Sequence, residues 1–189
     1  MKRKVVALTG KIGSGKSAVA QILRQMGYET VDCDELAKQV AEDTEVLASI
    51  EQLLGSRSVD NGKLNRKYVR ETVFNDETLL KTYQQIFFER VQTLLTEALA
   101  RLGGNKTVFV EIPVLDAFVF DFDEVWRVES SEQNCVCRVV ARDEVSADNV
   151  TATLNRQKTY DCVWVIENNG DLDMLAQSVR TALANRQLI

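Results

Sequence analysis

One stretch constrains this chain more than any other: Gly10-Lys11-Ile12-Gly13-Ser14-Gly15-Lys16-Ser17 matches G-x-x-x-x-G-K-[ST] at every specified position. Before it, Val5-Val6-Ala7-Leu8 is a short, largely β-branched run. After it, Val19, Ala20, Ile22, Leu23 and Met26 recur at helical spacing until Gly27. Strand, glycine loop and helix in that order turn successive backbone N–H groups toward an anion at the positive end of the helix. In such a loop Lys16 reaches the β- and γ-phosphates of a nucleotide and Ser17 ligates Mg²⁺. The loop leaves the acceptor open, because motors, GTPases, ATPases and small-molecule kinases share it.

The remaining pattern reads as α/β. Further strands are expected at residues 29–31, 107–112, 124–129 and 162–166. Between the second and third of the five strands so counted, residues 44–102 show no clear strand. There Leu79, Leu80, Tyr83, Ile86, Phe87, Val91, Leu94, Leu95, Ala98 and Leu102 recur at steps of three and four. This stretch reads as an all-helical insertion, broken by the turn Asp60-Asn61-Gly62 and closed by Leu102-Gly103-Gly104-Asn105. Strands alternating with helices predict a parallel sheet with helices on both faces. A length of 189 residues with 45% hydrophobic content suits one domain, residues 1–189, carrying that insertion.

Composition narrows the chemistry. With 23 Lys+Arg against 28 Asp+Glu the net charge is −5, so there is no general basic field for a polyanion and no nucleic-acid partner is expected. The chain has no His, which leaves acid–base work to carboxylates, Lys or Tyr. The basic start Met1-Lys2-Arg3-Lys4 precedes an apolar run too short for a signal peptide or membrane span, so a cytoplasmic protein with no membrane association and reduced cysteines is expected.

Asp32 and Asp34 follow the second strand and so project from the sheet edge that also carries the glycine loop. Asp34 suits a general base toward an acceptor hydroxyl and equally suits an N-cap for a helix beginning at Glu35; on spacing alone both readings stand. Glu111 ends a buried strand, where a carboxylate requires a cation, donor or water nearby and could orient a metal or its water.

Taken in order, residues 10–17, Asp32-Cys33-Asp34, Gly62-Lys63-Leu64-Asn65-Arg66, Val73-Phe74, Glu111-Ile112-Pro113-Val114-Leu115, Arg138, Arg142 and Val165-Ile166-Glu167-Asn168-Asn169-Gly170 resemble the dephospho-CoA kinases over nearly the whole chain. The resemblance implies a P-loop kinase-like five-stranded parallel sheet flanked by helices, with a helical acceptor-binding insertion near 44–102 and a helical lid near 131–158. It implies Mg²⁺-dependent transfer of the ATP γ-phosphate to the 3′-hydroxyl of dephospho-CoA, a small-molecule partner, in the last step of coenzyme A biosynthesis. Lys16, Arg138 and Arg142 then stabilise the transferring phosphoryl group, and Asp34 is favoured as the base. Asp32, Arg66, Arg70 and Glu111 line the acceptor side, and Asn168 and Asn169 contact adenine.

The chain departs from that family where His-Pro is usual, with Ile86-Phe87-Phe88-Glu89 instead, and where Pro113-Val114-Leu115-Asp116-Ala117 replaces Pro-Leu-Leu-aromatic-Glu. Both departures fall on the acceptor side. A kinase of another nucleoside or small alcohol, or a nucleotide-binding protein without transfer activity, are the alternatives. The sequence gives no oligomeric state.

Overall fold

The computed structural model describes residues 3–74, 76–102 and 107–188; the Gly103-Gly104-Asn105 turn lies outside them. A five-stranded sheet has the order β2-β5-β1-β6-β7, formed by β1 (Val5–Thr9), β2 (Glu29–Asp32), β5 (Val108–Glu111), β6 (Glu124–Glu129) and β7 (Trp164–Glu167). Every pairing in it is parallel. β1 is central and buried along its whole length, as expected of a parallel strand covered on both faces.

The first of two compact units holds this sheet and comprises residues 1–32, 102–115 and 121–189. Its core joins Val6, Leu8, Phe109, Trp126 and Ile166 of the strands to α1 (Lys16–Gln25) and α8 (Leu172–Asn185). Trp126 and Phe109 are fully buried and meet edge to face at 5.2 Å, with Tyr28 packed edge-on against Phe109 at 5.5 Å. Such buried aromatic pairs contribute about 0.5–1.5 kcal/mol each beyond the area they bury.

α6 (Glu132–Asp143) and α7 (Ala147–Arg156) stand between β6 and β7, in the segment expected to form the lid. Each starts on a serine whose hydroxyl accepts a backbone N–H of the first turn: Ser131 from Asn134 and Ser146 from Asn149. They share a small apolar cluster of Cys135, Val139, Val150 and Leu154, against which Ile12 of the glycine loop packs.

The second unit comprises residues 33–101 and 116–120 and contains α2 (Cys33–Val40), α3 (Thr44–Leu54), α4 (Arg66–Val73) and α5 (Glu77–Arg101). It is not purely helical, contrary to the expectation for residues 44–102. The short strands β3 (Val59–Asp60) and β4 (Lys63–Leu64) pair antiparallel across the Asp60-Asn61-Gly62 turn. With Asn61 and Gly62 both at positive φ, a two-residue hairpin loop forms, a geometry too short to show as strand periodicity. The Asp43 carboxylate accepts the N–H groups of Glu45 and Val46 as the cap of α3 and also the Arg90 Nε–H of α5 at 2.7 Å.

Candidate active site

The loop from Gly10 to Ser17 joins the C-terminal end of β1 to α1, with Gly15 standing as the left-handed residue before the helix. Close packing explains its glycines. A side chain on Gly13 would meet the Cys135 carbonyl at 2.5 Å, and one on Gly15 would run into the Asn168 amide nitrogen. Gly15 also has φ +102°, which side chains avoid.

Three residues far away in sequence hold this loop directly, and Ser130 and Asn169 brace them. Asn168 is 6% exposed and its Nδ2 donates to the Ser14 carbonyl at 2.8 Å. The Arg138 guanidinium donates through Nη1 to the carbonyls of Gly13 (3.2 Å) and Ser14 (3.4 Å) and to Ser130 Oγ (3.1 Å). Its Nη2 reaches the Asn168 carbonyl at 2.9 Å and Asn168 Oδ1 at 3.4 Å. The Ser130 hydroxyl in turn donates to the Asn168 carbonyl at 2.7 Å, and Asn169 Oδ1 accepts the Ser131 N–H at 2.7 Å. Gln157, just past α7, accepts the Ile12 N–H at 2.8 Å.

Lys16 donates from Nζ to the loop's own carbonyls, Gly10 at 2.9 Å and Lys11 at 3.4 Å, which keeps its charge over the loop. Ser14 is 1% exposed and its Oγ has no hydrogen-bond partner among the described residues. A buried hydroxyl left so is costly unless a ligand or water meets it. Gly10, Lys11 and Ser14 line a cleft of about 250 Å³ together with Arg127, Lys158 and Tyr160. The orphaned hydroxyl and the glycine cradle fit a phosphate-bearing nucleotide.

The acids divide between the units. In the first, Asp32 at the end of β2 and Leu8, one residue before the end of β1, flank Glu111 in register on either side of β5. Glu111 is 6% exposed, and its Oε1 accepts the Ser17 hydroxyl at 2.7 Å. Ser17 and Glu111 thus bring two hard oxygen donors together, the donor type Mg²⁺ prefers. No group of three His, Cys, Asp or Glu side chains able to hold a metal occurs among the described residues.

Asp34 belongs to the second unit, exposed in the first turn of α2. The helix starts at Cys33 rather than Glu35, so the N-cap reading of Asp34 is corrected: the residue belongs to the first turn itself. In the same unit Arg66 and Arg70 lie exposed four residues apart on α4. Burial raises the Tyr83 pKa, and the Arg66 charge draws it partly back. Where His-Pro is absent, Phe87 packs on Tyr83 (6.3 Å between centroids) and Phe88 on Phe118 (6.1 Å).

Arg142 does not join Arg138. Its side chain is 63% exposed and forks onto Asp143, both bonds at 2.7 Å. Hydrogen bonding to Arg142 holds the Asp143 carboxyl below its usual pKa, against a smaller effect of burial. Sequence reasoning missed Gln157 and Ser130. Neither belongs to a motif, and Gln157 meets a partner 145 residues away.

A parallel sheet of this order, a glycine loop at the end of its central strand and helices α6 and α7 between β6 and β7 define a P-loop small-molecule kinase. A solved shikimate kinase from Acinetobacter baumannii shares the fold at a TM-score of 0.54 over 99% of this chain and 96% of its own, at 13% identity. The chain belongs to the dephospho-CoA kinase family, whose model matches residues 4–174, and is an ATP-dependent kinase acting on an alcohol group.

It is 34% identical to the dephospho-CoA kinase of Thermus thermophilus over 95% of this chain and 90% of that protein. The corresponding figures for the Leptospira interrogans enzyme are 30%, 95% and 91%. A solved Thermus thermophilus structure superposes with a TM-score of 0.84 at 32% identity, covering 98% of both chains.

Proposed function

We propose that the chain transfers the ATP γ-phosphate to the 3′-hydroxyl of dephospho-CoA. Free backbone N–H groups of the loop at residues 10–17 cradle the phosphates, and Lys16 neutralises charge on the β- and γ-phosphates. The observation that carries the ATP side is the loop itself, held by Arg138, Asn168 and Gln157 and backed by the Ser17–Glu111 hydrogen bond, while the acceptor rests on membership of the dephospho-CoA kinase family. Mg²⁺ would be held by Ser17, with Glu111 orienting the hydroxyl, and supplies positive charge to bound phosphates.

Asp34 orients the acceptor hydroxyl and accepts its proton; a loose transition state asks for little basicity, so a carboxylate suffices. Arg66 and Arg70, exposed on one face of α4, bind phosphate or hydroxyl groups of the acceptor, and Asp32 and Glu111 complete the sheet edge. Arg142 contributes once it leaves Asp143. Asn168 and Asn169 border the adenine, while their side-chain amides hold the loop and the start of α6 respectively. A cytoplasmic setting fits this reading, and no described helix is long and apolar enough to cross a membrane.

A coupled assay should show ADP formation that depends on dephospho-CoA. Asp34→Asn should lower kcat by about 10²–10⁴-fold, the usual weight of a positioned general base, while leaving ATP affinity within a few-fold. Activity near the parent level in that variant would dismiss Asp34 as the base. Turnover with another alcohol but none with dephospho-CoA would dismiss the acceptor.

A further inference from the structure

We propose that Gln157 is a positioning residue of the phosphate loop, tying the loop's backbone to the end of the lid helices; the proposal rests on ATP occupying residues 10–17. A loop that binds an anion through some of its N–H groups must keep the others satisfied, or they compete for the ligand and let the loop change shape. The half-buried Ile12 N–H is one of those others, and the Gln157 side-chain carbonyl accepts it at 2.8 Å.

Gln157 is itself held. It follows the last residue of α7, and its backbone N–H donates to the Thr153 carbonyl at 3.1 Å, so its Cα is fixed by the helix end. Ile12 is anchored a second time through its side chain, which packs on Cys135, Val139, Val150 and Leu154 of α6 and α7. The same residue therefore meets the lid helices through both its side chain and its N–H. Any displacement of α7 carries Gln157 with it, and the loop either follows or loses the bond. Glutamine suits the place because it offers an acceptor without a negative charge beside a phosphate site.

The test is Gln157→Leu, which keeps the side-chain bulk and removes the acceptor. ATP affinity and the KM for ATP should weaken about 5- to 30-fold, equivalent to roughly 1–2 kcal/mol at 1.4 kcal/mol per tenfold. The KM for dephospho-CoA and the thermal midpoint should stay near the parent values. In hydrogen exchange followed by NMR on the nucleotide-free protein, protection of the Ile12 amide should be lost in Gln157→Leu and retained in Gln157→Glu, which keeps an acceptor oxygen.

Unchanged ATP affinity in Gln157→Leu would overturn the proposal. So would equal loss in both KM values together with a lowered midpoint, the pattern of a merely structural residue. An Ile12 amide still protected in Gln157→Leu would show that the bond does not hold the loop. Failure of the parent protein to bind ATP would instead count against the assignment of residues 10–17, so the two failures are separable.

Discussion

The Ser17 hydroxyl donates to Glu111 Oε1 at 2.7 Å, joining the first turn of α1 to the end of β5. By giving its hydrogen to the carboxylate, Ser17 leaves its oxygen lone pairs available to a metal. Glu111→Gln should therefore weaken the apparent Mg²⁺ affinity about 10- to 100-fold, the usual cost of losing a group that orients a metal ligand. Metal-free ATP binding should change little. Titrating activity against Mg²⁺ checks this, and an unaltered Mg²⁺ profile would remove Glu111 from the metal side of the site.

Gly15 and Asn168 fit together only without a side chain on the former. Gly15→Ala adds a methyl against the Asn168 amide at a backbone with φ +102°, so ATP affinity should fall by at least about tenfold, or 1.4 kcal/mol. Adding Asn168→Ala removes the collision but not the backbone strain, and should recover only part of the loss. Calorimetric titration with ATP checks both variants; full recovery in the double variant would mean that the collision alone mattered.

Glu124 should set an acid limit on stability. Its side chain is 5% exposed and receives hydrogen bonds from Trp126 Nε1 at 3.0 Å, Lys4 at 3.2 Å and Arg186 at 3.1 Å. Burial raises its pKa, but the bonds from Arg186, Trp126 and Lys4 together outweigh burial and hold the carboxyl below its ordinary 4.5. A pKa lowered on folding stabilises the native state above pH 4.5, and this contribution disappears as the pH falls through the native pKa.

Glu124→Leu leaves the fully buried Trp126 N–H unpaired and should cost roughly 2–4 kcal/mol at neutral pH. At about 2–4 °C per kcal/mol for a chain of this size, the thermal midpoint should drop by roughly 5–15 °C. The gap between parent and variant should narrow as the pH is taken below 4.5. Melting curves from pH 3 to 7, about the span over which carboxylates titrate, decide it; a gap independent of pH would mean that packing rather than charge sets the loss.

Much of this molecule was legible before folding because its signals are local. Strand, glycine loop and helix follow one another within residues 5–26, and period-three-to-four spacing marked α5 over most of Glu77–Arg101. The β3–β4 hairpin escaped because two-residue strands carry no periodicity. The start of α2 at Cys33 escaped because a cap and a first-turn acid look alike in one dimension.

Arg138 and Arg142 show the limit most directly. Four residues apart on one helix, they read as equivalent, yet one is bonded to the loop carbonyls of Gly13 and Ser14 and the other to its neighbour Asp143. By itself the sequence determined the fold class, the nucleotide loop and the family, since these depend on residue types at short spacing. Only the tertiary structure decided which side chains hold that loop. The partners Asn168, Gln157 and Arg138 come from other elements, and a hydrogen bond works only within about 3.5 Å, a condition no spacing along the chain can express.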